Sequence, residues 1–200
     1  MEFNTDKYLH GFIDVYEPYF SQMKDSKHVL EIGVYYGGSA SYLVSKFPDA
    51  KIYGVDIEDK TQYDTDQIKT FIVNQENRDE LQKFITDVNV EFDIIIDDGG
   101  HTMRQQQISL GVLFPKLKKG GIYILEDLHT SRLENFGTIF PTDLITTLDM
   151  LYTIKYTGNV ISNHILEEEK QYLIDNIESI LIWTKTPTYN QSVTSIIRKK

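Results

Sequence analysis

Two segments of the sequence end an apolar run in side chains that can bind metal or move protons. They are IIIDDGGH at residues 94–101 and ILEDLH at residues 124–129. The candidates are Asp97, Asp98, His101, Glu126 and Asp127. Carboxylates are hard oxygen ligands, and an imidazole exchanges a proton near neutral pH. If the two segments are neighbouring strands of one sheet, these side chains meet at its edge.

Four carboxylates at one edge repel one another, and their pKa values rise unless a cation neutralises them. A divalent ion removes this repulsion, and because the chain has no cysteine, Mg²⁺, Ca²⁺ or Mn²⁺ is favoured over zinc. Gly99 and Gly100 give the backbone freedom to bring His101 over the site, where it could take a proton from a substrate hydroxyl. The alternative is that the acids cap the following helices, and for Asp97 that interpretation is favoured.

The elements that must position these residues alternate between strands and helices. The predicted strands span residues 28–32, 51–55, 70–73, the isoleucine run 94–96 and 121–125, and the predicted helices span 5–23, 39–47, 78–87 and 103–113. Short, almost wholly apolar strands between helices indicate a parallel sheet covered on both faces.

The last fifty residues have a different pattern. Helices are predicted at 143–155 and 166–177, followed by alternating segments at 178–185 and 192–199 that are typical of an antiparallel strand pair. This order predicts a Rossmann-like α/β fold of the class I methyltransferase type. Residues 1–200 would be one domain, in which residues 1–26 form an N-terminal helical lid that brings Thr5, Asp6 or Lys7 to the site.

The first predicted strand ends in EIGVYYGGS at residues 31–39. Gly33 and Gly37 allow a tight turn before a helix N-terminus. The pattern is not GxGxxG, which a dinucleotide pyrophosphate requires, and Glu31 suits the cationic amino group of S-adenosylmethionine better. A plain tight turn explains the glycines about as well.

Two later strand ends support a nucleoside-type cofactor. Asp56 follows the second strand, where an acidic residue accepts hydrogen bonds from ribose hydroxyls, and Asn74 or Gln75 follows the third, where an amide can read an adenine edge. Taken alone, Asp56 could equally be a turn or cap residue.

Composition limits the classes of partner. A net charge of −10 over 200 residues argues against nucleic-acid binding, and no apolar run approaches the roughly 18 residues of a membrane span. The N-terminus lacks the layout of a signal peptide, so a cytoplasmic protein is expected.

Five segments together resemble the metal-dependent sugar O-methyltransferases of antibiotic biosynthesis: TDKYLHGF, EIGVYYGGS, GVDI, IIDDGGH and GGIYILEDLHTS. The resemblance covers roughly residues 5–131, which make up most of the predicted cofactor-binding core. It implies S-adenosylmethionine and Mg²⁺ as cofactors, His101 as general base, and Asp98, Glu126 and Asp127 as metal ligands. The cofactor-binding candidates are Glu31, Gly33, Tyr35, Gly37, Ser39, Asp56, Gln75 and Asp97.

The expected acceptor is a small sugar-containing molecule, either a glycosylated natural product or a nucleotide-activated sugar. After EDLHTS the chain continues with Arg132 and Leu133, where the family has an aromatic residue, so nothing about the acceptor carries over for residues 132–151. A catechol-type O-methyltransferase, a dinucleotide-dependent oxidoreductase and a non-catalytic binding module stay as alternatives. The related enzymes also raise the expectation of a homo-oligomer.

Overall fold

A seven-stranded sheet forms the centre of the computed structural model, which describes residues 3–132, 145–185 and 192–200. The strands are β1 (His28–Ile32), β2 (Lys51–Asp56), β3 (Ile68–Ile72), β4 (Phe92–Asp97), β5 (Leu117–Leu125), β6 (Ile177–Thr184) and β7 (Val193–Lys199). They lie in the order β3-β2-β1-β4-β5-β7-β6, in which only the β5–β7 and β6–β7 pairings are antiparallel. The predicted parallel sheet with a C-terminal antiparallel pair is confirmed.

Seven α-helices surround this sheet in the part of the chain that the structure describes. They are α1 (Lys7–His10), α2 (Phe12–Gln22), α3 (Gly38–Lys46), α4 (Arg78–Val88), α5 (Met103–Leu113), α6 (Thr147–Thr157) and α7 (Glu167–Asn176). None of these described helices has the length and apolarity needed to cross a bilayer.

Successive side chains of each central strand enter two different hydrophobic cores. Leu30 and Ile95 pack in a core with α4, α5, α6 and α7, whereas Val29 and Ile96 pack in a core with α2 and α3. Strand side chains point alternately to opposite faces, which is why neighbours in the sequence are separated in this way. The same alternation decides which polar side chain at a strand end meets which helix.

Three elements differ from the sequence-based prediction by more than a shift of one or two residues at an end. The helix expected over residues 5–23 is divided at Gly11, whose φ of 75° ends α1 and lets α2 begin in a new direction. Strand β5 starts at Leu117, not at Gly121, because a register shift opposite β4 absorbs the expected turn. The helix expected from Asp143 is seen from Thr147 onward, and residues 133–144 lie outside the described part of the chain.

The central strands end at the same level of the sheet. Ile32 of β1 pairs with Val55 of β2 and with Asp97 of β4, and Asp97 pairs in turn with Leu125 of β5. The residues that follow these four positions therefore converge at the carboxyl edge. Ligands bind at this edge in open α/β sheets.

The conformation of the turn after β1 leads us to expect that adding a methyl group at Gly33 strongly destabilises the protein. Gly33 has a φ of 88°, and a Cβ atom there would lie 2.1 Å from the carbonyl oxygen of Asp98. Gly120 has a similar φ of 73° with no atom within 4 Å of the same position. We expect Gly120→Ala to lower the free energy of unfolding by about 1 kcal/mol, and Gly33→Ala by roughly 3 kcal/mol or more. Urea denaturation followed by circular dichroism measures both, and equal losses would contradict the steric argument.

Candidate active site

Three candidate residues form a compact cluster at the carboxyl edge. Asp98, His101 and Asp127 can each direct one ligand atom so that these atoms lie within 4.8 Å of one another. The Nε2 atom of His101 is 3.5 Å from Oδ2 of Asp127 and 4.0 Å from Oδ1 of Asp98. All three side chains are partly exposed, so a ligand can reach them. Two carboxylates and an imidazole at this spacing are suited to binding a divalent cation.

Two residues of this cluster have left-handed backbone conformations. Four non-glycine residues in the described part of the chain have a positive φ, and His101 (60°), Asp127 (53°) and Tyr35 (48°) are three of them. The fourth, Asn89, ends α4, a position where this conformation is ordinary. Strained backbone is kept where a function requires a particular side-chain direction. The strain therefore supports a functional role for the edge of the sheet.

A threonine hydroxyl fixes both strained segments relative to each other. Oγ1 of Thr130 lies 2.9 Å from the carbonyl oxygen of His101 and 2.8 Å from that of Asp127. Thr130 itself is buried, so its hydroxyl has few other partners to choose from. Sequence reasoning did not single out Thr130, because only the fold brings it beside His101.

Lys7 of α1 enters the carboxylate cluster and is almost completely buried. Its Nζ atom donates to Oδ2 of Asp98 at 2.5 Å and to Oε1 of Glu126 at 2.7 Å, and it lies 3.9 Å from Oε1 of Glu31. Burial alone would lower the pKa of Lys7, but the three carboxylates raise it well above its usual value. Of the three N-terminal residues expected to reach the site, Lys7 is the one that contacts the candidate metal ligands.

Glu126 occupies a different environment from its neighbour Asp127. Its carboxylate is 1% exposed and faces Lys7, outside the cluster of Asp98, His101 and Asp127. Burial and the nearby Asp98 raise the pKa of Glu126, against the effect of the Lys7 ammonium. Burial also raises the pKa of Asp127, and His101 opposes this rise. Both acidic groups are thus held where a positive charge is favourable.

Glu31 is wholly buried and short of hydrogen-bond donors. Neither of its carboxylate oxygens has a donor in bonding geometry. Burial raises the pKa of Glu31 to about 7, while the Lys7 ammonium and the Ser39 hydroxyl act in the opposite direction. A buried carboxylate in this state is suited to receive a cationic ligand. Gly33 and Ser39 lie on either side of the turn that follows it.

Asp56 organises the turn after β1. Its Oδ2 atom accepts hydrogen bonds from the backbone N–H groups of Val34 at 3.0 Å and Tyr35 at 3.2 Å, and Oδ1 accepts one from Glu58. The Tyr35 side chain is 69% exposed and its ring lies against that of Tyr36. Asp56 therefore has the turn-forming role that was one of its two interpretations, and it keeps lone pairs for a further donor.

The N-terminal segment packs against the same turn. A Cβ atom on Gly38 would lie 1.8 Å from the carbonyl oxygen of Asn4, so only glycine allows this approach. Gly37 takes the left-handed conformation that starts α3, with a φ of 72°. The glycines thus serve chain packing as well as the turn.

Asp97 requires a correction. It was expected to cap the following helix, but Thr102 caps α5, with Gln105 completing a capping box. Its carboxylate is buried on the α5 side of the sheet, where it accepts hydrogen bonds from Gln75, Ser109 and Tyr123. Burial raises the pKa of Asp97 to about 6. Its carboxylate already accepts hydrogen bonds from three side chains, which gives Asp97 a supporting role inside the protein.

Gln75 holds the loop that contains the two glycines. Its amide nitrogen donates to Asp97 at 2.6 Å, and its amide oxygen accepts from the N–H group of Gly100 at 3.0 Å. Gln75 is 6% exposed, and a Cβ on Gly99 would lie 2.2 Å from the same oxygen. The expected reader of an adenine edge is therefore a buried support for the loop between β4 and His101.

Comparison with known proteins shows a similarity to methyltransferases. Residues 30–128 match the family model of a methyltransferase domain. The chain is 36% identical over 138 residues to mycinamicin VI 2''-O-methyltransferase of Micromonospora griseorubida. This alignment covers 65% of the chain and 34% of the relative. It is 32% identical over 156 residues, 74% of this chain and 41% of the relative, to 8-demethyl-8-alpha-L-rhamnosyl tetracenomycin-C 2'-O-methyltransferase of Streptomyces olivaceus. The chain thus spans about a third of the length of the first of these relatives.

A solved structure extends the likeness to most of the chain. It is MycE methyltransferase from the mycinamycin biosynthetic pathway in complex with Mg, SAH and mycinamycin VI, with a TM-score of 0.71 and 29% identity over 94% of this chain and 48% of that one. The predicted class I methyltransferase fold is confirmed by this match and by the strand order.

The burial of Glu31 predicts a pH effect on stability. Between its ordinary pKa of 4.5 and its folded value of about 7, the folded protein retains a proton that the unfolded chain has lost. Glu31 therefore lowers the free energy of unfolding of the wild type as the pH rises from 4.5 to about 7. The Glu31→Gln variant has no carboxylate to ionise at this position. Its free energy of unfolding minus that of the wild type should therefore increase by about 3 kcal/mol between pH 4.5 and 7.5. Urea unfolding across this range measures the difference, and a pH-independent difference would disprove the assignment.

Proposed function

From the match of residues 30–128 to the model of a methyltransferase domain, we propose that the chain is an O-methyltransferase. It uses S-adenosylmethionine and a divalent cation, Mg²⁺ in the first instance, to methylate a hydroxyl of a sugar. The observation that carries the proposal is the cluster of Asp98, His101 and Asp127 beside the donor-free carboxylate of Glu31. The complex of MycE with Mg and SAH supports the choice of both cofactors.

The residues present fit a divalent cation. Oδ1 of Asp127 is buried without a hydrogen-bond partner, and the other oxygen of the same carboxylate faces His101. In the proposal Asp98 and Asp127 are metal ligands, and Glu126 is the third, as the sequence resemblance implies. Glu126 can take this role only by turning part of its carboxylate from Lys7.

The residues around the β1 turn fit S-adenosylmethionine. Glu31 would receive its cationic amino group, and Asp56 would use its remaining lone pairs on the ribose hydroxyls. The other contacts would be Gly33, Tyr35, Gly37 and Ser39, with Gln75 acting through the loop it supports. Asp97 is left out because its carboxylate already accepts hydrogen bonds from Gln75, Ser109 and Tyr123.

His101 would act as the general base through Nε2. This nitrogen faces both carboxylates of the cluster, whereas Nδ1 is buried. S-adenosylmethionine supplies a methyl group on a sulfonium, and the cation makes a bound hydroxyl more acidic. S-adenosylmethionine would supply the methyl group to the acceptor oxygen, with its sulfur keeping the electron pair of the carbon–sulfur bond, and Nε2 of His101 would take the hydroxyl proton. Asp98 and Asp127 hold the imidazole and stabilise its charge once protonated.

The acceptor class follows from the relatives. The enzymes of Micromonospora and Streptomyces carry names of sugar O-methyltransferases acting on glycosylated natural products. We assign a sugar of this kind to the present chain, with a nucleotide-activated sugar as the second acceptor to try. A catechol, like a sugar, has two neighbouring hydroxyls that a metal ion can bind, so it is the rival acceptor.

Cofactor binding is the first test of this proposal. Calorimetric titration with S-adenosylmethionine and S-adenosylhomocysteine should show micromolar binding, because Glu31 and the β1 turn are formed without them. Mass spectrometry with glycosylated macrolides, nucleotide sugars and catechols, each with Mg²⁺ or EDTA, then identifies the acceptor. Absence of cofactor binding would rule out a methyltransferase, and transfer to catechols alone would replace the sugar assignment.

Because His101 and Asp98 have different proposed roles, we expect one variant to lose catalytic rate and the other to lose metal affinity. His101→Ala should lower kcat by about a hundredfold or more while leaving S-adenosylhomocysteine and Mn²⁺ affinity within about threefold, because a base acts only in the chemical step. Asp98→Asn should weaken Mn²⁺ binding, measured by electron paramagnetic resonance. His28→Ala, at the start of β1, is the matched control and should change neither quantity. Loss of Mn²⁺ binding in His101→Ala would make the imidazole a ligand.

A further inference from the structure

Lys7 brings a positive charge into the place where a divalent cation is expected. Its side chain is 2% exposed, and its ammonium contacts Asp98 and Glu126, two of the three proposed metal ligands. It also lies 3.9 Å from Glu31, the proposed partner of the cofactor's amino group. A lysine is almost never buried unless it is paired, and here the pairing is with residues of the site itself.

The two oxygens of Asp98 face different partners. Oδ2 accepts the hydrogen bond of Lys7 at 2.5 Å, whereas Oδ1 lies 4.0 Å from Nε2 of His101, on the side of Asp127. The carboxylate of Asp98 thus connects Lys7 on one side to the candidate metal site, with His101 and Asp127, on the other. Any cation bound beside Asp127 shares Asp98 with the ammonium.

The chain around Lys7 is fixed at several points, so the lysine is held in place. The Nδ1 atom of His10 lies 2.6 Å from the hydroxyl of Ser192, and Lys185 donates to the carbonyl oxygen of Leu9 at 2.7 Å. On the other side of Lys7, Asn4 lies directly against Gly38. These contacts join the segment to the residue after β6, to the residue before β7 and to the turn after β1.

We propose that Lys7 is a positioning residue that serves as a built-in counter-ion of the acidic cluster. It holds Asp98 and Glu126 in the absence of metal and lowers the affinity of the site for a divalent cation by sharing Asp98 with it. This rests on the proposed function, since it concerns the same metal site. It adds a role for the N-terminal segment that is independent of the acceptor.

The sign of the effect follows from electrostatics. Without the ammonium, Glu31, Asp98 and Glu126 lose their common positive partner, and the metal-free protein becomes less stable. A divalent cation then meets one more free carboxylate oxygen and no like charge, so it binds more tightly. A lysine with a merely structural role would lower stability without tightening metal binding.

The test compares Mn²⁺ binding and melting temperature in purified full-length variants. Lys7→Met removes the charge, and Lys7→Arg keeps it. Lys24→Met, at an exposed position after α2, is the matched control. Lys7→Met should melt lower than wild type without metal, bind Mn²⁺ about tenfold more tightly or better, and gain more melting temperature from Mn²⁺ than wild type does. Lys7→Arg and Lys24→Met should stay within about threefold of the wild-type affinity.

A second variant covers the case in which Lys7→Met does not fold. Lys7→Met with Glu31→Gln removes one positive and one negative charge, and it should fold and still bind Mn²⁺ more tightly than wild type, because Asp98 is freed. If the wild type binds Mn²⁺ and either variant binds it equally or more weakly, the proposed role of Lys7 is wrong, while the proposed metal site stands. Absence of Mn²⁺ binding in every protein would overturn both this role and the metal in the proposed function. Calorimetry with S-adenosylhomocysteine then tests the methyltransferase assignment separately.

Discussion

The carboxyl edge of the sheet depends on how buried negative charge is compensated. Strand register places the ends of β1, β4 and β5 at one level, where Glu31 lies within β1, Asp98 follows β4, and Glu126 and Asp127 follow β5. Burial raises the pKa values of Glu31 and Glu126, so the uncompensated edge is energetically unfavourable. One ammonium, that of Lys7, contacts both sides of this edge. The position of the N-terminal segment is best understood as a consequence of that charge.

The edge is also where the backbone is least relaxed. His101 and Asp127 keep left-handed conformations on adjoining loops, and the Thr130 hydroxyl links their carbonyl groups. On the opposite side of the sheet's edge, Gln75 supports the loop that leads to His101. A direction imposed on two side chains by strained backbone is retained only if the surrounding hydrogen bonds maintain it. The loops are therefore shaped before any ligand arrives, which favours positioning as the source of catalysis.

Much of this arrangement could be predicted from the sequence, because apolar runs and their polar ends are local signals. The positions of Asp98, His101 and Asp127 at neighbouring strand ends are of this kind. Two features are not local. The roles of Asp97 and Asp98 depend on strand alternation, which turns Asp97 toward Ser109 of α5, and on the exact last residue of β4. Thr130 and the buried contacts of Lys7 depend on the tertiary fold, which no periodicity of the sequence reports.

Counting charges connects the structure to the proposed reaction. Glu31, Asp98, Glu126 and Asp127 carry four negative charges when ionised, and Lys7 supplies one positive charge. A divalent cation and the sulfonium of S-adenosylmethionine would supply the remaining three. The edge would then be neutral with the reactive methyl donor bound, and it would regain a negative charge when the proton taken up by His101 leaves after transfer. Because buried groups favour neutrality, this balance favours the loaded state before transfer and weakens it afterwards.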